Sequence, residues 1–242
     1  MSYFISAEDG YYALKTPGIV LFAVLIAVLI LLTTLIRLRS VNVEGEKTAP
    51  RETAGARKKG LFSTKQLVFS AAALALGFAA SYVKLLPMPW GGSITLCSML
   101  FVVLVGYWYG PKVGLCAGFA YGLLQFVQDG GSYILSPLQA CLDYIFAFAA
   151  LGLSGFFSNK KNGLIKGYLF AILIRGLFHT VGGYLYWMDY MPESFPASLA
   201  FIYPIAYNYS YILAEGALTV LLLYLPPVKR AMANVKKLAL SQ

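Results

Sequence analysis

Six apolar runs, at residues 67–86, 94–109, 111–127, 137–157, 164–187 and 204–225, constrain this chain more than any other feature. Runs of this length and apolarity read as bilayer-spanning helices, and in lipid a helix satisfies its own backbone hydrogen bonds. A seventh run, Gly18 to Ile36, precedes them without a single charge. Composition agrees: 59% of residues are hydrophobic, 12% are charged and the mean hydropathy is +0.70. That balance excludes an ordinary soluble domain. The expected fold class is an all-α integral membrane protein.

Turn-forming residues separate the runs: Pro87-Met-Pro-Trp-Gly-Gly, Tyr109-Gly-Pro-Lys, Asp129-Gly-Gly, Asn159-Lys-Lys-Asn-Gly and Met191-Pro-Glu-Ser-Phe-Pro. Three regions follow. Residues 1–36 hold an extra N-terminal transmembrane helix. Its leader is acidic (Glu8, Asp9) and no small-residue cleavage site ends it, so it reads as a retained helix and not a signal peptide. Residues 37–66 form a basic linker with Arg37, Arg39, Lys47, Arg51, Arg57, Lys58, Lys59 and Lys65. Residues 67–237 form a six-helix membrane domain.

The formal charge of +9 sits in particular loops, which is a topology signal and not a nucleic-acid footprint. The linker, Lys112, Lys160, Lys161, Lys166 and the tail (Lys229, Arg230, Lys236, Lys237) fall on one side. The other side has Lys15 and Lys84 but collects Asp129, Asp189 and Glu193. Seven spans then place the C-terminus in the cytoplasm and the N-terminus outside. The three cysteines, Cys97, Cys116 and Cys141, match no metal spacing and read as small buried hydrophobes.

The only histidine, His179, lies within the fifth core run, where Arg175, His179, Gly183 and Trp187 recur every four residues along one stripe. Ionisable groups inside a bilayer usually face a protein interior or a cavity. The stripe therefore reads as one wall of a ligand site, with Gly183 as a gap in that wall. Loops 87–93, 128–136 and 188–203 lie on the outer side. Trp90, Tyr133 and Tyr203 fall in or beside them, and Asp143, Tyr144, His179, Trp187 and Asn208 lie near the same ends of the spans. Aromatic faces with one carboxylate suit a flat, cationic, partly aromatic molecule. Asn208 and His179 each offer a donor and an acceptor to a heterocycle edge. Arg175 and Glu215 have the charges to pair as a structural salt bridge. In the first core run Ala71, Ala75 and Ala79 form a small-residue ridge, which lets another helix approach closely. That helix belongs either to this chain or to a partner.

Several segments, taken in order, resemble the thiamine-specific substrate-binding (S) components of energy-coupling factor (ECF) transporters. They are Met88-Pro-Trp-Gly-Gly-Ser-Ile-Thr-Leu, Tyr109-Gly-Pro-Lys-Val-Gly-Leu, Ser136-Pro-Leu-Gln with Leu142-Asp-Tyr, Phe178-His-Thr-Val-Gly-Gly-Tyr-Leu-Tyr-Trp and Tyr203-Pro-Ile-Ala-Tyr-Asn-Tyr-Ser-Tyr. The resemblance spans about residues 61–237. It implies a six-helix S-component core that binds thiamine in a pocket facing outside. It also implies partners: a membrane coupling protein and two cytoplasmic ATPase subunits. The substrate-binding residues it implies are Trp90, Tyr133, Asp143, Tyr144, His179, Gly183, Trp187, Tyr203 and Asn208. Docking to the coupling protein falls to Ala71, Ala75 and Ala79. Two departures stand out: Asp143 replaces the family's usual Glu, and the helix at 18–36 lies outside the usual core.

The implied function is high-affinity thiamine binding for uptake into a bacterial cell, with no cofactor, no metal and no nucleic acid. The chain has no Gly-x-x-x-x-Gly-Lys-Ser/Thr loop, so energy has to come from partners. Alternatives are an S component for another vitamin or a thiamine precursor, and an intramembrane enzyme. Against the enzyme, the chain has neither His-Glu-x-x-His nor an Asp-rich cluster.

Overall fold

A computed structural model describes residues 5–8, 11–14, 16, 20, 62–89, 91–129 and 134–241. The chain divides into two compact units, 1–61 and 62–242. In the first unit, β1 (Ile5–Glu8) pairs antiparallel with β2 (Tyr11–Leu14), Ile5 opposite Leu14 and Glu8 opposite Tyr11. The expected helix at 18–36, Val20 apart, and the linker as far as Leu61 lie outside the described residues.

In the second unit each of the six core runs becomes a helix. α1 (Thr64–Tyr82) begins with a capping box, in which the Ser63 hydroxyl accepts from the Gln66 backbone and the Gln66 side chain accepts from the Ser63 backbone. α2 (Ser98–Tyr109) and α3 (Pro111–Asp129) follow. α4 (Pro137–Phe157) starts with Ser136 as N-cap and Pro137 in its first turn. α5 (Gly163–Tyr190), α6 (Tyr203–Tyr224) and α7 (Pro226–Leu240) complete the unit.

Among the described residues, α1, α4 and α5 are each long and apolar enough to cross a membrane, with 19, 21 and 28 residues. The α6 pair, together with the turn at Ala197–Ile202, makes a fourth crossing if its 87° break with α7 lies within one span. α2 has only 12 residues, about 18 Å of rise. Its run is shortened because residues 93–95 are not helical. They form β4 (Ser93–Thr95), which pairs antiparallel with β3 (Lys84–Pro87). The sequence reading carried the first core helix to residue 86 and made 87–93 a plain loop. The helix stops earlier because Lys84–Pro87 pair with Ser93–Thr95, and Gly91 and Gly92 turn the chain at φ +90° and +79°. α7 was read only as a basic tail. It is amphipathic: Val228, Met232, Val235 and Ala239 pack on the core, and Lys229, Arg230 and Lys237 face outward. Of the cysteines, Cys97 is buried as expected, whereas Cys116 is exposed.

A ridge of glycines fixes the centre of the unit. Gly114, Gly118 and Gly122 recur every four residues along α3, and Gly106 joins them from α2. A Cβ on Gly114 would stand 2.6 Å from the Gly152 carbonyl oxygen, and those on Gly118 and Gly122 would fall on the carbonyl oxygens of Phe148 and Tyr144. α3 and α4 thus meet backbone to backbone. The close crossing carries the Asp143 turn inward. We expect Gly118→Leu to force the two helices apart, at a cost of about 3 kcal/mol or more, the upper end of overpacking penalties. Thermal unfolding in detergent measures this; a melting point equal to wild type would refute the close crossing.

Candidate functional site

A cavity of about 170 Å³ opens between α1, α3, α4, α5, α6 and the β3–β4 hairpin. Asp143, Tyr144, His179, Gly183, Trp187, Tyr203 and Asn208 all line it. Trp90 and Tyr133 lie outside the described residues.

Two helix distortions position this set. Cys141–Phe146 in α4 and Gly183–Trp187 in α5 are π-helical turns, wider than the α-helix on either side. The first carries Asp143 and Tyr144, and the second begins at Gly183 and ends at Trp187. Gly183 lines the cavity and also marks a close helix approach. A Cβ there would stand 2.8 Å from Pro204 Cβ and 3.3 Å from Asn208 Nδ2, so the missing side chain lets α6 approach α5. The preceding Gly182 leaves room for Asp143, whose Oδ1 lies 2.9 Å from where a Cβ would be.

A polar chain runs along the wall. Leu135 N donates to Gln139 Oε1 (3.0 Å), and Gln139 Nε2 donates to Asp143 Oδ2 (2.6 Å). Asp143 Oδ1 lies 3.0 Å from His179 Nδ1, and Arg175 Nε donates to His179 Nε2 (3.2 Å). The Arg175 guanidinium also sits 4.3 Å from the centre of the Phe148 ring, a cation–π contact. Tyr144 OH donates to Asp129 Oδ2 at 2.8 Å.

Asn208 is less available than its type suggests. Its Nδ2 donates to the His179 and Pro204 carbonyls, and its Oδ1 accepts from Tyr211 OH. The amide locks α6 to α5 and leaves only acceptor capacity on Oδ1. The aromatic plates support one another: Trp187 lies 5.1 Å from Tyr190, and Tyr203 lies 5.1 Å from Phe195 and 5.7 Å from Tyr207. The hairpin is tied to the same wall, since Tyr207 OH donates to the Gly91 carbonyl at 3.1 Å.

Arg175 and Glu215 do not pair. The Glu215 carboxylate, only 2% exposed, instead accepts from Thr95 N (2.8 Å), Thr95 Oγ1 (2.7 Å), Met99 N (3.3 Å) and Ser98 Oγ (3.4 Å). Thr95 closes β4, and Ser98 and Met99 open α2, where unpaired N–H groups and the helix dipole favour an anion. Sequence reasoning also missed a cluster on the far wall. Gln125 Nε2 donates to Ser81 Oγ and to Gln128 Oε1, and the Ser81 hydroxyl lies 2.9 Å from Gln128 Oε1. Two glutamines in an apolar run were the available signal. On α6, Tyr203, Tyr207, Tyr211 and Glu215 line the cavity at a four-residue spacing that extends the site beyond Tyr203. Among the described residues no group of three or more His, Cys, Asp or Glu side chains is placed to hold a metal ion.

The arrangement combines an aromatic rim, a hydrogen-bonded carboxylate and several amides in one recess. It is suited to holding a small, flat, polar molecule without covalent chemistry.

The sequence model of the family described as thiamine transporter protein (Thia_YuaJ) matches residues 67–235. The thiamine transporter ThiT of Bacillus subtilis (strain 168) is 31% identical over 171 residues, covering 65% of this chain and 85% of that protein. ThiT of Lacticaseibacillus paracasei is 36% identical over 92 residues, 32% of this chain and 46% of that protein. Among solved structures, ThiT from Listeria monocytogenes superposes with a TM-score of 0.53 at 27% identity, covering 67% of this chain and 94% of that one.

Proposed function

The chain belongs to the thiamine transporter protein family, a family of membrane transporters and not of enzymes, and from this we propose that it is a membrane-embedded subunit that binds thiamine with high affinity for uptake. The observation that carries the reading is the convergence of Asp143, Tyr144, His179, Trp187 and Tyr203 on one cavity. Thiamine is a cation with two flat heteroaromatic rings joined by a methylene. Trp187 and Tyr203 offer faces on which such rings stack, and Asp143 offers charge to the thiazolium. Asn208 Oδ1 and the cavity glutamines offer hydrogen bonds to the aminopyrimidine edge. Trp90 and Tyr133 complete the aromatic rim in this reading.

Transport requires energy that this chain has no phosphate-binding loop to harvest. We assign that role to an ECF membrane coupling protein with two cytoplasmic ATPase subunits, docked through Ala71, Ala75 and Ala79. The charge distribution supports a reading in which the α7 end of the domain is cytoplasmic and the cavity mouth faces outside. In this reading the helix at 18–36 spans the membrane as an addition to the core.

Mass spectrometry of small molecules released from the purified protein tests the reading, followed by calorimetric titration with thiamine. Release of a different vitamin, with no heat on adding thiamine, would replace the ligand assignment. Trp187→Ala should weaken thiamine binding by about 1–2 kcal/mol, the scale of a desolvated cation–π contact. Unchanged affinity in a folded variant removes Trp187 from the contact set.

A further inference from the structure

Arg175 touches His179, and His179 touches Asp143. Hydrogen-bond chemistry alone fixes where the imidazole proton lies. Arginine has donors and no acceptor, so the ring nitrogen facing it has to present a lone pair. That nitrogen is Nε2, at 3.2 Å from Arg175 Nε. The opposite nitrogen, Nδ1, lies 3.0 Å from a carboxylate oxygen of Asp143, which accepts. The single proton therefore sits on Nδ1, and the ring is a neutral imidazole. A second proton on Nε2 would set N–H against N–H.

We propose that Arg175 is a positioning residue for the cavity: by donating to Nε2 it holds His179 in the neutral Nδ1–H form and so keeps the negative charge of Asp143 available to a cationic ligand. Without that donor the imidazole is free to take a second proton. It would then form an ion pair with Asp143 and spend the carboxylate inside the wall. Arg175 lines the cavity and carries a charge of its own, with its guanidinium stacked over Phe148. The groups around the ring come from three helices: Asp143 from α4, Arg175 from α5 and Tyr211 from α6, the last at 6.4 Å between ring centres. This role differs from the salt bridge with Glu215 that charge alone suggested.

The inference about the ligand's charge rests on the thiamine reading, whereas the state of the imidazole does not. The test exploits the single histidine of the chain. Nitrogen NMR of detergent-solubilised, histidine-labelled protein without ligand at neutral pH reads one imidazole. Wild type is expected to show Nδ1 protonated and Nε2 bare. Arg175→Met removes the donor and should show protonation at both nitrogens. Arg175→Gln sets an amide nitrogen at the same position in the side chain as Arg Nε and should retain the neutral form. In parallel titrations Arg175→Met should bind thiamine about tenfold more weakly, the scale of one charge-assisted hydrogen bond, while Arg175→Gln stays nearer wild type. A wild-type spectrum with Nε2 protonated overturns the proposal without recourse to any variant. So does an Arg175→Met spectrum identical to wild type. A correct set of spectra with no thiamine binding by wild type would leave the imidazole assignment standing and sink the ligand reading instead.

Discussion

Asp143→Asn should weaken thiamine binding by about a hundredfold or more, the scale of losing one partner of a buried, hydrogen-bonded charge pair. Both carboxylate oxygens already accept from the wall, Oδ2 from Gln139 Nε2 and Oδ1 from His179 Nδ1. An amide replaces one acceptor by a donor, so whichever way it turns, its NH₂ faces another N–H. The substitution therefore removes the charge and also strains the wall. A second ligand separates the two effects. A neutral isostere of thiamine, lacking the thiazolium charge, meets the same disturbed wall but has no cation to lose. If Asp143 serves the cation, thiamine should lose much more affinity than the isostere in calorimetric titrations. Equal losses for both would mean that the carboxylate only builds the wall.

How much of this was legible in the residues follows from what a linear pattern encodes. Apolar runs specify helices where the surroundings are apolar on all sides, and the run at 137–157 coincides with α4. The run at 94–109 failed at its start because Ser93–Thr95 pair with a strand, and pairing across a turn leaves apolar content unchanged. The four-residue stripe of Arg175, His179, Gly183 and Trp187 correctly led to the cavity. It carried no sign of the π-helical turn at Gly183–Trp187, because a locally wider helix leaves the residue order intact. Glu215 was misread for a related reason. Opposite charge pointed to Arg175, whereas the partners include the backbone N–H groups of Thr95 at the end of β4 and Met99 at the start of α2, which come together only once the chain is folded. The glycines from Gly106 to Gly122 were visible as a spacing, but their meaning depends on the α4 backbone pressed against them.

Replacing Ala71, Ala75 and Ala79 together by leucine should abolish uptake while leaving thiamine binding intact. α1 has two small-residue stripes, and they lie on different faces. Ala73, Gly77 and Ser81 are buried within the unit. Gly77 packs against Phe101 and Tyr121, and its carbonyl accepts from Tyr121 OH at 2.9 Å. Ser81 reaches the cavity, so α1 supplies one lining residue. Ala71, Ala75 and Ala79 are exposed on a different face. Among the described residues they make no internal helix contact, so leucine there is expected to disturb neither the described core nor the cavity. If this face receives a helix of the coupling protein, each leucine forced into that packed contact costs about 1–3 kcal/mol. Three together should cut uptake by roughly a hundredfold or more. The measurements are radiolabelled thiamine uptake in cells carrying the energising module, co-purification of the coupling protein, and calorimetric affinity of the isolated variant. Normal uptake would move the docking surface elsewhere. Loss of thiamine affinity in detergent would show instead that the exposed stripe supports the fold from outside.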